Sequence, residues 1–484
     1  MQTSEGPSHF SDQTIICDLC VIGAGAGGLS VAAGASLFGE KVVLVERHKM
    51  GGDCLNSGCV PSKALLAAAK RAHLMRTCGP FGIRPVGPEI DPRGVHDYVK
   101  GVIGTIAPND SVARYTGLGV RVIEGHGRFI DGATVEANGI RIKARRFIIA
   151  TGSRALVPPI PGLDRVAYLT NETIFDVRRR IEHLVIIGGG PIGMEMAQAY
   201  RRLGSAVTVL EGRTVLGKDD PELSRVVVDA LRYEGVDVRE STTVERVEEG
   251  DGVIRILIKA GERREVIEGT DVLVAAGRRP NIEDLGLDRG DIVHDGQGIK
   301  VNSSLLTSNP KVFAIGDCTG GLQFTHVANQ HAGVVLRRAL FRLPAKVELR
   351  AVPWVTYTDP ELAHVGLSEE MARRQGHKVG ILRWPFHEND RAQAEHLTGG
   401  MIKVVTGKRG RILGASIVGH SAGELIQVWT LAISRGLTVR AMADFTAPYP
   451  TLSEVSKRAA TRYYALAPVN PLVRKVIGWL KKLG

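Results

Sequence analysis

Apolar residues along this chain fall into short runs closed by glycine, and two of these runs have the same layout. The first, Ile15-Ile16-Cys17-Asp18-Leu19-Cys20-Val21-Ile22, is followed by Gly23-Ala24-Gly25-Ala26-Gly27-Gly28. A small-residue helix through Ser36 comes next, then a strand from Lys41 to Val45 ending at Glu46. The second run, Leu184-Val185-Ile186-Ile187, leads into Gly188-Gly189-Gly190-Pro191-Ile192-Gly193, a helix to Leu203, the strand Ala206 to Leu210, and Glu211. Strand, glycine turn, helix, strand and acidic residue in that order predict a βαβ unit that holds a dinucleotide. The turn glycines let a pyrophosphate approach the backbone and rest on a helix N-terminus. The terminal carboxylate accepts the ribose hydroxyls. Repetition of the whole unit predicts two dinucleotide-binding domains in one chain.

The candidate cofactor set is therefore Gly23, Gly25, Gly28 and Glu46 for one nucleotide, and Gly188, Gly190, Gly193 and Glu211 for the other. Glu211 would bond a free 2′-hydroxyl and repel a 2′-phosphate, which favours NADH. Arg213 reads either as a solvated surface charge or as a group that would admit NADPH. Farther on, the run Thr307 to Asp317 reads as a short strand delivering Asp317 at its carboxyl end, where ligands bind in open α/β sheets. Asp317 could otherwise cap a helix beginning near Thr325.

At 484 residues, with 58 glycines and 44% hydrophobic residues, the chain is long enough for two to four domains and large buried cofactors. The formal charge of +11 is spread along the sequence with no reader motif, which argues against nucleic-acid binding. No apolar run reaches the length of a membrane span, and the first residues carry no apolar signal region, so a cytoplasmic location is expected. Six cysteines are too few for a disulfide framework. Cys17 and Cys20 have CxxC spacing but are expected on opposite faces of a strand, as core residues. Cys78 and Cys318 read as buried thiols.

Cys54 and Cys59 lie in Gly51-Gly52-Asp53-Cys54-Leu55-Asn56-Ser57-Gly58-Cys59-Val60-Pro61-Ser62-Lys63. In a regular helix, residues five apart are too distant for a disulfide, so a bridge needs a distorted turn, and the flanking glycines and Pro61 supply one. A zinc site lacks a second ligand pair, and no metal site is predicted.

These motifs, with Ala150-Thr151-Gly152 and Tyr357-Thr358-Asp359-Pro360-Glu361, make residues 15 to 465 resemble a class I pyridine nucleotide-disulfide oxidoreductase, the family of dihydrolipoamide dehydrogenase and mercuric reductase. The resemblance implies an α/β fold of two Rossmann-like domains plus a C-terminal α+β dimerisation domain. It implies FAD over 15–155 and 276–348, NAD(P) over 156–275, and a homodimer formed through 349–467. Cys59 would lie against the flavin and Cys54 would exchange with substrate. Lys63 would sit by the flavin, paired with Glu195, and Gly52, Thr151, Gly152 and Gly277 would complete the cofactor set. The acceptor would be a small disulfide, a metal ion or a quinone.

Two departures stand out. The family's disulfide reductases place His before a Pro-Thr-x-x-Glu sequence, whereas this chain has Tyr449 there, followed by Glu454. Mercuric reductases share the tyrosine but end in paired cysteines, and no cysteine follows Cys318 here. Pro191 also stands where many relatives carry a tyrosine that covers the flavin. Finally, the segment 468–484 contains a basic amphipathic stretch. Leu472, Val476, Trp479, Leu480 and Leu483 share one helical face, and Arg474, Lys475, Lys481 and Lys482 lie opposite. It predicts either peripheral contact with an anionic membrane through 472–483 or docking on the dimer.

Overall fold

The computed structural model describes residues 13–465 and 471–483. Expectations for the first twelve residues and for the start of the tail at Pro468 lie outside the described residues. The first sheet has seven strands. At its centre β1, Thr14–Ile22, pairs in parallel with β2, Val42–Glu46, on one side and with Ile140–Ile149 on the other. Ile140–Ile149 is shared along its length. Its first half pairs with the hairpin strand Thr134–Ala137, and its last three residues pair in parallel with Val312–Ala314, which returns from much later in the chain.

The helix after β1, α1 at Ala26–Leu37, is built of small residues, and it buries Gly27, Gly28, Val31, Ala32 and Ala35. Small side chains let it lie close to the helix Thr325–Ala339; a Cβ on Gly27 would sit 3.0 Å from Ile315 and 3.3 Å from Ala328. Neither helix could be larger there without prising the layer open.

A second parallel sheet is ordered Asp237–Arg239, Ala206–Leu210, His183–Ile187, Asp271–Val274 and Tyr168–Leu169. Its strands are apolar through most of their length because both faces are covered. The helix Pro191–Arg202 begins on proline, whose missing N–H costs nothing at a first helical position. The third sheet is antiparallel, in the order Pro353–Thr356, Glu361–Gly366, Ile412–Gly419, Met401–Thr406 and Gly380–Pro385. The helix Ala422–Ser434 covers it with Trp429, which is fully buried and donates its indole N–H to Ser456.

The last two sheets are joined by a buried ammonium. Lys403 Nζ lies 2.7 Å from Asp220, 3.1 Å from Glu222 and 3.0 Å from Glu369, and the side chain is 6% exposed. A lysine so enclosed is stable only because several carboxylates replace its water.

Three expectations about cysteines are revised or filled in here. Cys17 and Cys20 are both buried, as expected of core residues, and fall in one hydrophobic cluster. Pairing of β1 with β2 begins only at Leu19, and the Cys17 thiol turns toward the Lys143 carbonyl on the adjoining strand. Cys78 is half-exposed, because it follows the last turn of a surface helix instead of packing inside. Cys318 is fully buried, and burial pushes its thiol up to about 12.

The tail helix spans Pro471–Leu480, and none of its residues is buried. Val476, Ile477 and Trp479 are exposed, and so is Leu483 beyond its end.

Candidate active site

The first two sheets direct the carboxyl ends of their parallel central strands at one continuous cavity of about 2390 Å³. Gly23, Gly25, Glu46, Gly52, Thr151, Gly152, Gly188, Gly190, Glu211, Gly277 and Asp317 all line it, together with Cys54, Cys59, Lys63 and Glu195. Gly28 and Gly193 do not. They stand behind the turns, where a Cβ would run into the carbonyl oxygens of Gly23 and Gly188. Their part in nucleotide binding is thus indirect: each lets its helix start close against the strand.

The backbone fits a pyrophosphate in both places. Gly23 has φ +106° and Gly188 has φ +117°, conformations that favour glycine. At Gly190 an added Cβ would meet nothing within 4 Å, so open space lies over the turn where a ligand can approach. Glu46 accepts from the Ala24 N–H at 2.6 Å and the His48 N–H at 2.8 Å. Glu211 repeats this with the Gly189 N–H at 2.8 Å and the Arg213 N–H at 2.9 Å. These bonds fix each carboxylate at a strand end. Arg213 is exposed at the cavity mouth.

The cysteines sit across a break between two helices. The short α2, Gly52–Asn56, ends at Ser57, and α3, Cys59–Thr77, starts two residues later. Gly58 between them has φ −124° and ψ −113°, and a Cβ there would lie 2.9 Å from the Asp53 carbonyl. Glycine is needed at the break. Gly52 has φ +60°, and a Cβ on it would stand 2.6 Å from Gly25, so the redox segment and the first glycine turn meet backbone to backbone.

The two thiols lie close enough to share a hydrogen bond, which separates their acidities. This bond pulls the Cys59 thiol down, aided by Thr325 and the Lys63 ammonium, to about 6. The Cys54 thiol is driven far above its ordinary value by the same bond and by burial. Cys59 is also the first residue of a 19-residue helix, where the positive end of the helix dipole favours a thiolate. Its sulfur is 3.5 Å from the Thr325 hydroxyl.

Lys63 is one turn farther along α3. It donates to Glu195 Oε2 at 2.8 Å, and Glu195 is only 5% exposed. Glu195 Oε1 accepts the Tyr357 N–H at 3.0 Å, and the Tyr357 ring lies 4.3 Å from the Lys63 nitrogen. That contact is a cation–π arrangement. Tyr357 was part of a quoted motif but had no role from sequence.

Asp317 lies just beyond the strand Val312–Ala314. It accepts the Ser153 hydroxyl at 2.6 Å, and burial raises its pKa above the usual carboxylate value. It does not cap the helix Thr325–Ala339, whose N-cap is Phe324. Arg278, which sequence reasoning missed, lies 3.7 Å from Asp317 and 3.0 Å from Asp53. The only hint was its place after Gly277.

Tyr449 and Glu454 do not line the cavity within one chain. Tyr449 is 70% exposed and donates its hydroxyl to Asp390 at 2.9 Å. Glu454 opens the helix Glu454–Thr461, with Arg458 at 4.0 Å.

The comparisons with known proteins agree with this geometry. The pyridine nucleotide-disulphide oxidoreductase model matches residues 17–332, and the dimerisation domain of the same family matches residues 352–460. The chain belongs to the pyridine nucleotide-disulphide oxidoreductases. Among relatives, a mercuric reductase of Lysinibacillus sphaericus is 36% identical over 92% of this chain and 82% of its own length. A dihydrolipoyl dehydrogenase of Thermus scotoductus is 37% identical over 92% of this chain and 96% of its own. Among solved structures, the Cu(II) complex of an HOCl-induced flavoprotein disulfide reductase from Escherichia coli superposes with a TM-score of 0.82 at 26% identity. That superposition covers 91% of this chain and 99% of the other. As a member of this family the protein is an FAD- and NAD(P)H-dependent oxidoreductase with a dimerisation domain. No helix among the described residues is long and apolar enough to cross a membrane.

Proposed function

We propose that the protein takes electrons from NADH through FAD to the pair Cys54 and Cys59 and passes them to a small disulfide or a metal ion. The observation that carries this reading is the unequal thiol pair in the cavity shared by both glycine turns. Gly23, Gly25, Glu46, Gly52, Thr151, Gly152, Gly277 and Asp317 would hold the flavin nucleotide, with Gly28 setting the turn. Gly188, Gly190 and Glu211 would hold the nicotinamide nucleotide, with Gly193 behind them. A bound flavin supplies two-electron exchange between a nicotinamide and a thiol pair.

The protein's own groups do the rest. Lys63, fixed by Glu195, places a positive charge where negative charge develops on reduction. Cys59 keeps its thiolate against the helix end, and Cys54, the protonated partner, is the thiol that exchanges with acceptor. In a homodimer, Tyr449 and Glu454 of one subunit would complete the site of the other, since neither faces the cavity of its own chain.

Direct transfer to a quinone is a second reading, favoured by Pro191: it lines the cavity in place of a larger aromatic ring. The tail is read as a peripheral contact on an otherwise cytoplasmic enzyme.

An acceptor screen of the flavin-loaded dimer with NADH, using lipoamide, oxidised glutathione, Hg(II), Cu(II) and a quinone, tests the proposal. Cys54→Ser should abolish disulfide or metal turnover. Full turnover of those acceptors by Cys54→Ser would refute the role of the pair. Cys59→Ser should remove the long-wavelength thiolate–flavin absorbance seen on NADH titration.

A further inference from the structure

Asp53, the residue before Cys54, binds three side chains beside the redox pair. Its Oδ1 accepts from Asn171 Nδ2 at 2.9 Å and from the Ser57 hydroxyl at 2.9 Å, while its backbone carbonyl accepts the Ser57 N–H at 2.9 Å. Its Oδ2 meets the Arg278 guanidinium at 3.0 Å. Arg278 is 13% exposed and is anchored in turn, donating to the Ser153 hydroxyl at 2.7 Å and the Ser153 carbonyl at 2.9 Å. The turn between α2 and α3 is thereby tied to the strand Arg278–Pro280 and to the Asn171 turn.

Charge counting shows that the tie is not neutral. One guanidinium serves two carboxylates, Asp53 and Asp317, so a net negative charge remains beside the cysteines. The other titratable groups by the pair are Lys63 on α3, already matched by Glu195, and His326, whose Nε2 is engaged by the Pro353 carbonyl. Glu172 borders the same cavity beside Asn171. None of these cancels Asp53.

We propose that Asp53 is a positioning residue for the redox pair, which fixes the helix break through Arg278 and, by its charge, holds the proton on Cys54. Both thiols feel Asp53 as a group that opposes ionisation. Thr325 favours ionisation of both thiols, but only Cys59 has the helix end and Lys63 to offset Asp53. Asp53 thus adds to the burial and the hydrogen bond that keep Cys54 protonated, while Lys63 and the helix end keep Cys59 ionised against it. This inference rests on the reading of Cys54 and Cys59 as the redox couple.

The test is iodoacetamide alkylation of Cys54 in the reduced dimer as a function of pH, with the modified peptide identified by mass spectrometry. Asp53→Asn keeps the shape and an acceptor oxygen but removes the charge. The expected change is a Cys54 profile moved down by about one pH unit, the low end for a nearby charge, which is about tenfold faster alkylation on the rising limb. Asp53→Glu, which keeps the charge, should stay near the native profile. If the Asn variant releases FAD, the same profile is taken on native and variant dimers both freed of flavin and reduced with dithiothreitol. An unchanged profile in Asp53→Asn, or an equal shift in Asp53→Glu, overturns the electrostatic role. If the native enzyme shows its thiolate–flavin band and loses it in Cys59→Ser, failure of the Asp53 test leaves the redox reading standing. If that band survives Cys59→Ser, it is the redox reading that falls.

Discussion

The pair Lys63 and Glu195 gives the most direct quantitative test of the site. Replacing Lys63 with Met keeps most of the side-chain volume and leaves the Glu195 carboxylate, 5% exposed, with the Tyr357 N–H as its remaining hydrogen-bond donor. At 2.8 Å and an effective dielectric of about 20, Coulomb attraction is on the order of 6 kcal/mol, an upper bound before desolvation is subtracted. Stranding one partner of a buried pair costs about 3–5 kcal/mol. Lys63 is 37% exposed, so the lower figure, about 3 kcal/mol, is the appropriate one. Glu195→Gln in the Lys63→Met background removes the stranded charge, and an amide oxygen can still accept the Tyr357 N–H. The double variant should therefore recover most of the loss, with a coupling of about 1–3 kcal/mol between the two positions. Urea unfolding of the flavin-loaded dimer, followed by flavin and tryptophan fluorescence, gives the four midpoints. Additive effects, with the double variant as unstable as the sum of the singles, would refute the claim that the pair is a buried unit.

Three further outcomes follow from the site. Glu211, held at its strand end, should make kcat/KM larger for NADH than for NADPH, and equal values would mean that Arg213 has offset the carboxylate. The thiolate–flavin absorbance of the reduced enzyme should be present at pH 7 and fade as pH falls through about 6. The sign follows from a thiol whose ionised form is favoured by the fold, and a band unchanged down to pH 4 would contradict it. Removal of residues 472–483 should abolish binding to phosphatidylserine vesicles at low salt with flavin content unchanged; a full-length protein that ignores such vesicles ends the membrane reading.

Local spacing made the two nucleotide turns readable. A glycine turn, its helix and the acidic residue at the next strand end are all set by steric rules acting within about 25 residues, and the strand runs differ from the observed β2 and α1 by a residue or so. The break at Gly58 was also readable, because a regular helix cannot bring Cys54 and Cys59 together. Contacts assembled from remote segments were not. Nothing near Asp53 announces Arg278, and nothing near Lys63 announces the Tyr357 ring above it. Cys78 was misjudged by residue type alone.

We propose that Tyr449 limits how far this member of the family acts as a disulfide reductase. A phenol with an ordinary pKa of about 10 is less than about one part in a thousand ionised at pH 7. Here its hydroxyl donates to the Asp390 carboxylate, which holds the proton on more firmly still. Cys54, with its proton retained by Cys59, burial and Asp53, therefore has no effective base from this position. Positioned acid–base catalysis contributes on the order of 10² to 10⁴ in rate, so native turnover of lipoamide or glutathione disulfide should be slow while NADH reduces the flavin fast. Tyr449→His should raise disulfide turnover by at least about tenfold and impose a pH dependence near the imidazole value of about 6.5. Asp390, already placed at 2.9 Å from the tyrosine hydroxyl, is a ready partner for the imidazolium. The flavin half-reaction should not change, because Tyr449 does not line the cavity that holds Cys59 and Lys63 in its own chain. Stopped-flow measurement of the two half-reactions separates these outcomes. If the native enzyme already reduces lipoamide as fast as the His variant, the proton is carried by another group, and the exposed Tyr449 hydroxyl has been assigned a deficit that the reaction does not feel.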